Sequence, residues 1–117
     1  MGYEFYPQAL EATIRRAAQI AAVPIYVTEN GIATTDDSRR IAFIEGALAG
    51  VARCLRDRID VRGYFYWSTL DNFEWLLGYR PRFGLIEVDR TTQKRTVKPS
   101  AEFLGHIARA NTTTWDP

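Results

Sequence analysis

The stretch Val23-Pro24-Ile25-Tyr26-Val27-Thr28-Glu29-Asn30-Gly31 decides the fold. From Val23 to Thr28 it is a short apolar run, rich in β-branched and aromatic residues and without strict alternation. That pattern predicts a strand over 23–28 covered on both faces, as in a parallel sheet. Upstream, Pro7 followed by Leu10, Ile14, Ala18 and Ala21 predicts a helix over 7–22. Downstream, Asp36, Asp37 and Ser38 are helix-starting residues. Ile41, Ile44, Leu48, Val51 and Leu55 then recur at alternating steps of 3 and 4, one apolar stripe on a helix running to about Arg58. Ile59 to Trp67 reads as a second strand. Strand, long helix and strand form a βαβ unit, which is almost always parallel. Two parallel strands alone leave two unpaired edges and uncovered apolar faces. The pattern therefore predicts a segment of a larger α/β structure, with no separate second domain.

The remainder is less regular. Ser68 to Arg82 is long and aromatic, with Gly78 and Pro81 as breakers. Phe83 to Val88 and Lys94 to Val97 are expected to pair as a short hairpin around Asp89-Arg90-Thr91-Thr92. Pro99 and Ser100 open a last helix with Phe103, Ile107 and Ala110 on one face, and 112–117 reads as a frayed tail. A hydrophobic content of 46% argues against disorder, and a net charge of +1 gives no field to draw nucleic acid or acidic membranes. Cys54 is the lone cysteine, so no internal disulfide forms, and it reads as a small core residue beside the apolar stripe. Met1 to Phe5 lacks the basic and apolar regions of a secretion signal, and no apolar run is long enough to span a bilayer. The expected compartment is cytoplasmic. Arg53, Arg56 and Arg58 read as a solvated helix end, and His106 as a surface or satisfied histidine. With no CxxC, HExxH, GxGxxG or P-loop pattern, neither a metal nor a cofactor is expected.

Two places can carry chemistry. Glu29 is expected just past the end of the first strand, and sites in α/β folds gather at the C-terminal ends of parallel strands. Asn-Gly is also a common turn pair, so position alone leaves Glu29 either a site carboxylate or a polar residue opening a turn. The second place follows the second strand: Trp67-Ser68-Thr69-Leu70-Asp71-Asn72-Phe73-Glu74-Trp75. Aromatic rings beside carboxylate and amide groups suit carbohydrate, because the apolar face of a pyranose packs on an indole while its hydroxyls need acceptors and donors. An aromatic satellite core with solvated acids fits the same composition.

The longer motifs are more specific. Ile25-Tyr26-Val27-Thr28-Glu29-Asn30-Gly31 closely resembles the nucleophile motif of glycoside hydrolase family 1 β-glycosidases, whose core is Thr-Glu-Asn-Gly after an apolar strand. Val61 to Ser68, continuing through Asp71-Asn72-Phe73-Glu74-Trp75, is similar to that family's last barrel strand and sugar-binding loop. Gly78-Tyr79, Arg82-Phe83-Gly84 and Thr92-Gln93-Lys94-Arg95 match in order, and the opening Met1 to Pro7 resembles the segment before the nucleophile strand's preceding helix.

The resemblance implies the C-terminal part of a (β/α)8 TIM barrel, strands 7 and 8 with their helices. It implies Glu29 as catalytic nucleophile and Trp67 as the platform under the sugar. Glu74 would accept from the 4- and 6-hydroxyls, Trp75 would donate to the 3-hydroxyl, and Phe83 would be a wall residue near the 6-hydroxymethyl group. The implied activity is retaining hydrolysis of β-D-glucosides and related β-glycosides, in which two carboxyl groups stand about 5–5.5 Å apart. The family's acid/base glutamate belongs to an Asn-Glu-Pro motif on an earlier strand, and no Asn-Glu-Pro occurs in these residues. A β-glycoside and a complementing N-terminal barrel segment are the partners this implies. The alternative is a sugar-binding or interaction module without hydrolytic activity.

Overall fold

The computed structural model describes residues 2–112. Its elements in order are α1 (Ala9–Ile20), β1 (Ile25–Asn30), α2 (Asp37–Arg56), β2 (Val61–Tyr66), a single 3₁₀ turn (Trp75–Leu77), β3 (Ile86–Val88), β4 (Arg95–Val97) and α3 (Pro99–Ala110). β1 and β2 pair in parallel, Ile25 opposite Val61 and Val27 opposite Tyr64, with α2 as the crossover. β3 and β4 form the expected hairpin, antiparallel, with Glu87 opposite Thr96. Its turn is held by the Asp89 carboxylate, which accepts the N–H groups of Thr91 and Thr92 at 2.9 and 2.7 Å.

α2 starts where its sequence says. Asp36 is extended, and its Oδ1 accepts from Ser38 N at 3.0 Å and Arg39 N at 3.4 Å, satisfying donors that an uncapped helix would leave orphaned. Pro99 sits in the first turn of α3, and Asn111 ends that helix in the left-handed conformation, φ 50°. Arg53 departs from the expected solvated end. It reaches across to α1, where Glu11 accepts from Arg53 at 2.7 Å and from Arg15 at 2.9 Å. Those two hydrogen bonds hold the Glu11 carboxyl below its ordinary range.

Two apolar clusters join the helices to the sheet. Ile14, Val27, Val51 and Cys54 form one, between α1, β1 and α2. Ile44, Leu48, Phe103 and Ile107 form the other, between α2 and α3. Tyr64 touches both clusters, so β2 is the strand that ties them together. The expectation that the strands are covered on both faces is corrected here. The three helices lie against one face only, and on the other Tyr26 is 55% and Phe65 59% exposed. The sequence registered strands apolar on both sides; the chain supplies covering elements for one. Among the described residues, no helix is long and apolar enough to cross a membrane.

At their N-terminal ends α2 and α3 meet through polar groups. Asp37 accepts from Ser100 N–H and Ser100 Oγ–H at 2.8 Å each and pairs with Arg40, which is 1% exposed. Arg40 also donates to the carbonyls of Thr34 and Arg82. Asp37→Ala is expected to destabilise the chain by about 3 kcal/mol, because it strands a buried guanidinium. The pH profile gives an independent check. Burial alone would raise the Asp37 pKa, but the Ser100 and Arg40 hydrogen bonds outweigh it and hold the carboxyl below its usual value. A depressed folded pKa contributes stability that is complete above the unfolded value, about 3.9, and is lost as pH falls through the folded one. Denaturation midpoints followed by far-UV circular dichroism should therefore fall below about pH 4, and less steeply for Asp37→Ala.

Candidate active site

Glu29 lies inside β1, as its penultimate residue, and not past the strand's end as the sequence reading placed it. The register slips between Val27 and Asn30, and that irregularity breaks the alternation. Val27 is buried in the core, while Thr28 and Glu29 are both exposed. The slip frees a carboxylate at the C-terminal end of a strand whose preceding residues are anchored by packing.

The ends of the two strands are locked to each other. Trp67 N–H donates to Asn30 O at 3.0 Å. A Cβ added at Gly31 would lie 1.8 Å from the Trp67 carbonyl oxygen, so only glycine allows this approach. Tyr64 Oη donates to Asn30 Oδ1 at 3.0 Å, fixing the side chain next to Glu29. Burial pushes the Tyr64 phenol well above its ordinary pKa, so it remains a donor. The structure thus brings Glu29 and Trp67 together at one end of one parallel pair. The Trp67–Ser68 peptide bond is cis.

The other candidates lie on the segment beyond. Glu74 precedes the 3₁₀ turn; its N–H donates to Gly78 O at 2.7 Å and its carbonyl accepts from Leu77 N–H at 2.8 Å. Trp75 is 83% exposed and Leu76 fully so. Phe73 meets Tyr79 edge to face at 5.2 Å, and Arg90 lies over Tyr79 at 4.1 Å from the ring centre. Phe83 is buried, and its carbonyl accepts from the Ser68 N–H at 3.5 Å.

Asp71 carries a role that sequence reasoning missed. It reads as one more acid in an aromatic loop, yet it is buried at 3% exposure. Its partners, Arg82, Gly84 and Lys98, are 11 to 27 residues away, and no spacing rule joins them. Burial pushes the Lys98 ammonium below its ordinary pKa, with Arg40 adding to the effect and Asp71 opposing it. Among the described residues no group of three His, Cys, Asp or Glu side chains converges as a metal site would.

Comparison with known proteins places this geometry. The chain is 39% identical over 110 residues to a β-galactosidase of Sulfolobus acidocaldarius, covering 94% of this chain and 22% of that protein. It is 34% identical over 121 residues to β-glucosidase A of Thermotoga maritima, covering 95% of this chain and 27% of that protein. The crystal structure of the β-glycosidase BGL167 superposes on the whole chain with a TM-score of 0.93 at 58% identity, over 28% of its own length. A family 1 β-glucosidase structure from Thermotoga maritima, with a TM-score of 0.94 at 32% identity, is likewise covered over 28%. One structure of that enzyme is a complex with glucoimidazole. The chain thus spans about a quarter of the length of these relatives. The profile of Glycosyl hydrolase family 1 matches residues 1–113, and this chain belongs to that family.

Proposed function

We propose that this chain supplies the nucleophile and the glycone-binding residues of a retaining β-glycosidase acting on β-D-glucosides and related β-glycosides. The observation that carries this is the locked pair of strand ends: Glu29 freed by the register slip, beside Trp67 held on Asn30 and Gly31. In this reading β1 and β2 are strands 7 and 8 of a (β/α)8 barrel, and residues 1–117 are one segment of it. The open face bearing Tyr26 and Phe65 then faces the barrel interior, and a complementing N-terminal segment covers it. Family membership and the relatives' names support the reaction class.

Glu29 attacks the anomeric carbon and forms a glycosyl ester as the aglycone departs with a proton. Water then cleaves the ester. The acid that gives the first proton and activates the water comes from the complementing segment. Trp67 stacks under the pyranose, Glu74 accepts from the 4- and 6-hydroxyls, Trp75 donates to the 3-hydroxyl, and Phe83 backs the wall near the 6-hydroxymethyl group. A carboxylate at Glu74 repels a 6-phosphate, a cost that grows as water leaves the site.

The test is to mix the chain with an N-terminal segment of β-glucosidase A from Thermotoga maritima that lacks the part matched here. Aryl glucoside, fucoside, galactoside and 6-phosphoglucoside are then compared. Glucoside and fucoside should turn over readily, galactoside to some extent and the phosphorylated sugar very little. A preference for the 6-phosphoglucoside would overturn the reading of Glu74. Absence of any turnover, together with no covalent labelling of Glu29 by an activated 2-fluoro-2-deoxyglucoside, would overturn the function itself.

A further inference from the structure

The segment carrying Glu74 and Trp75 cannot be placed by apolar packing. Phe73 is 54%, Trp75 83% and Leu76 100% exposed, so burial contributes little to holding its position. What holds it is polar and begins at Asp71. The Asp71 carboxylate accepts from Gly84 N–H at 2.9 Å, from Arg82 Nη1 at 3.3 Å and from Lys98 Nζ at 3.3 Å. Its backbone N–H donates to Ile86 O at 3.0 Å, and its carbonyl accepts from Arg90 Nη2. Arg90 in turn lies over Tyr79, and Tyr79 packs on Phe73, so both limbs of the loop around Glu74 lead back to Asp71. Gly84 completes the clip, since a Cβ there would lie 2.2 Å from Asp71 N.

The same side chains border a cleft of about 250 Å³ lined by Asp37, Arg40, Asp71, Arg82, Glu87 and Lys98. Three cations face three carboxylates there, so the cleft is balanced and does not act as an anion trap. Arg40 pairs with Asp37, and Arg82 and Lys98 pair with Asp71. A buried carboxylate is tolerated only when paired and hydrogen-bonded, and here the partners of Asp71 come from Arg82, at the end of the loop, and from Gly84 and Lys98 beyond it.

We propose that Asp71 is a positioning residue for the sugar-binding loop and that Lys98, the residue before α3, is its counter-ion, so that substrate affinity depends on a contact that never touches substrate. This rests on the proposed function, since Glu74 and Trp75 are taken as the glycone contacts. The loop is set by Asp71 against the frame of β3 and α3, and Glu74 stands three residues from that anchor. Misplacing binding groups by about 1 Å costs on the order of 100-fold in rate.

The experiment uses the reconstituted complex, with active sites counted by 2-fluoro-2-deoxyglucoside labelling of Glu29. Asp71→Asn keeps an acceptor for Gly84 but removes the charge. It is expected to lower kcat/KM per labelled site about 100-fold, mostly through KM. Amide-exchange protection should fall over 68–90 and stay unchanged in β1 and β2. Lys98→Gln, a milder change that leaves Arg82 in place, should shift KM in the same direction by about tenfold, and Lys98→Arg should restore it. If the substitutions reduce only the number of labelled sites, with KM per site unchanged, Asp71 serves stability alone and the proposal fails while the function stands. If the unsubstituted complex is not labelled at Glu29, both fall.

Discussion

Glu29→Gln should abolish glycosidase activity in the reconstituted complex, lowering kcat by at least about 10³-fold, equivalent to about 4 kcal/mol of transition-state stabilisation. The amide oxygen is a poor nucleophile and cannot form the glycosyl ester, so the loss falls on the chemical step. Structure and stability should be untouched. Glu29 is exposed, and among the described residues its carboxylate makes no hydrogen bond or ion pair whose loss would matter to folding. The substitution is isosteric as well. Denaturation midpoints of the Glu29→Gln complex should therefore match those of the unsubstituted complex, and KM for an aryl glucoside should change little. Mass spectrometry after treatment with the 2-fluoro-2-deoxyglucoside should find the adduct on the peptide containing Glu29 in the unsubstituted complex and nowhere in the variant. Near-full activity with glutamine at 29 would show that another group attacks the anomeric carbon.

How much of this was legible before the structure differs from residue to residue. The stripe Ile44, Leu48 and Val51 is buried as its spacing required, because a helix face is set by a 3.6-residue period alone. Leu55, the last member of the stripe, is 44% exposed, while Cys54 beside it is fully buried. The strand 25–30 was visible in its β-branched run, but its end was not: whether Glu29 sits inside or beyond the ladder depends on a register slip that only the partner strand imposes. Arg40 and Asp71 were the least legible. Nothing local distinguishes Arg40 from its exposed neighbour Arg39, or Asp71 from an ordinary loop acid. Their burial follows from contacts with Thr34, Arg82, Gly84 and Lys98, and such pairings carry no period in the sequence. The closure of the two strand ends, Asn30 on Trp67, lay between these cases. The βαβ pattern predicted neighbouring strands, whereas Gly31 as the reason they close so tightly became evident only from the approach of the Trp67 carbonyl.

Gly31→Ala tests that closeness directly and should be among the most damaging single changes in the chain. The added Cβ would meet Trp67 O at 1.8 Å, Trp67 C at 2.9 Å and Tyr66 Cζ at 3.2 Å. The nearest two atoms are backbone, so no side-chain rotation relieves the clash, and the two strand ends must separate. Separation breaks the Trp67 N–H hydrogen bond to Asn30 O at 3.0 Å and moves the Trp67 indole relative to Glu29. Overpacking of this kind costs about 1–3 kcal/mol and occasionally more. A backbone obstruction belongs at the upper end, so a loss of about 3 kcal/mol is expected by urea denaturation of the complex. Activity per labelled site should fall by about 100-fold, because the platform and the nucleophile no longer share one geometry. Gly105→Ala supplies the control. Gly105 lies within α3, and its added Cβ would meet nothing closer than the flexible end of Arg109 at 3.4 Å. Alanine there should leave activity unchanged and raise stability by up to about 1 kcal/mol, through better helix propensity. Equal tolerance at 31 and 105 would mean that the strand ends do not need their close approach, and that the observation supporting the proposed site is incidental to it.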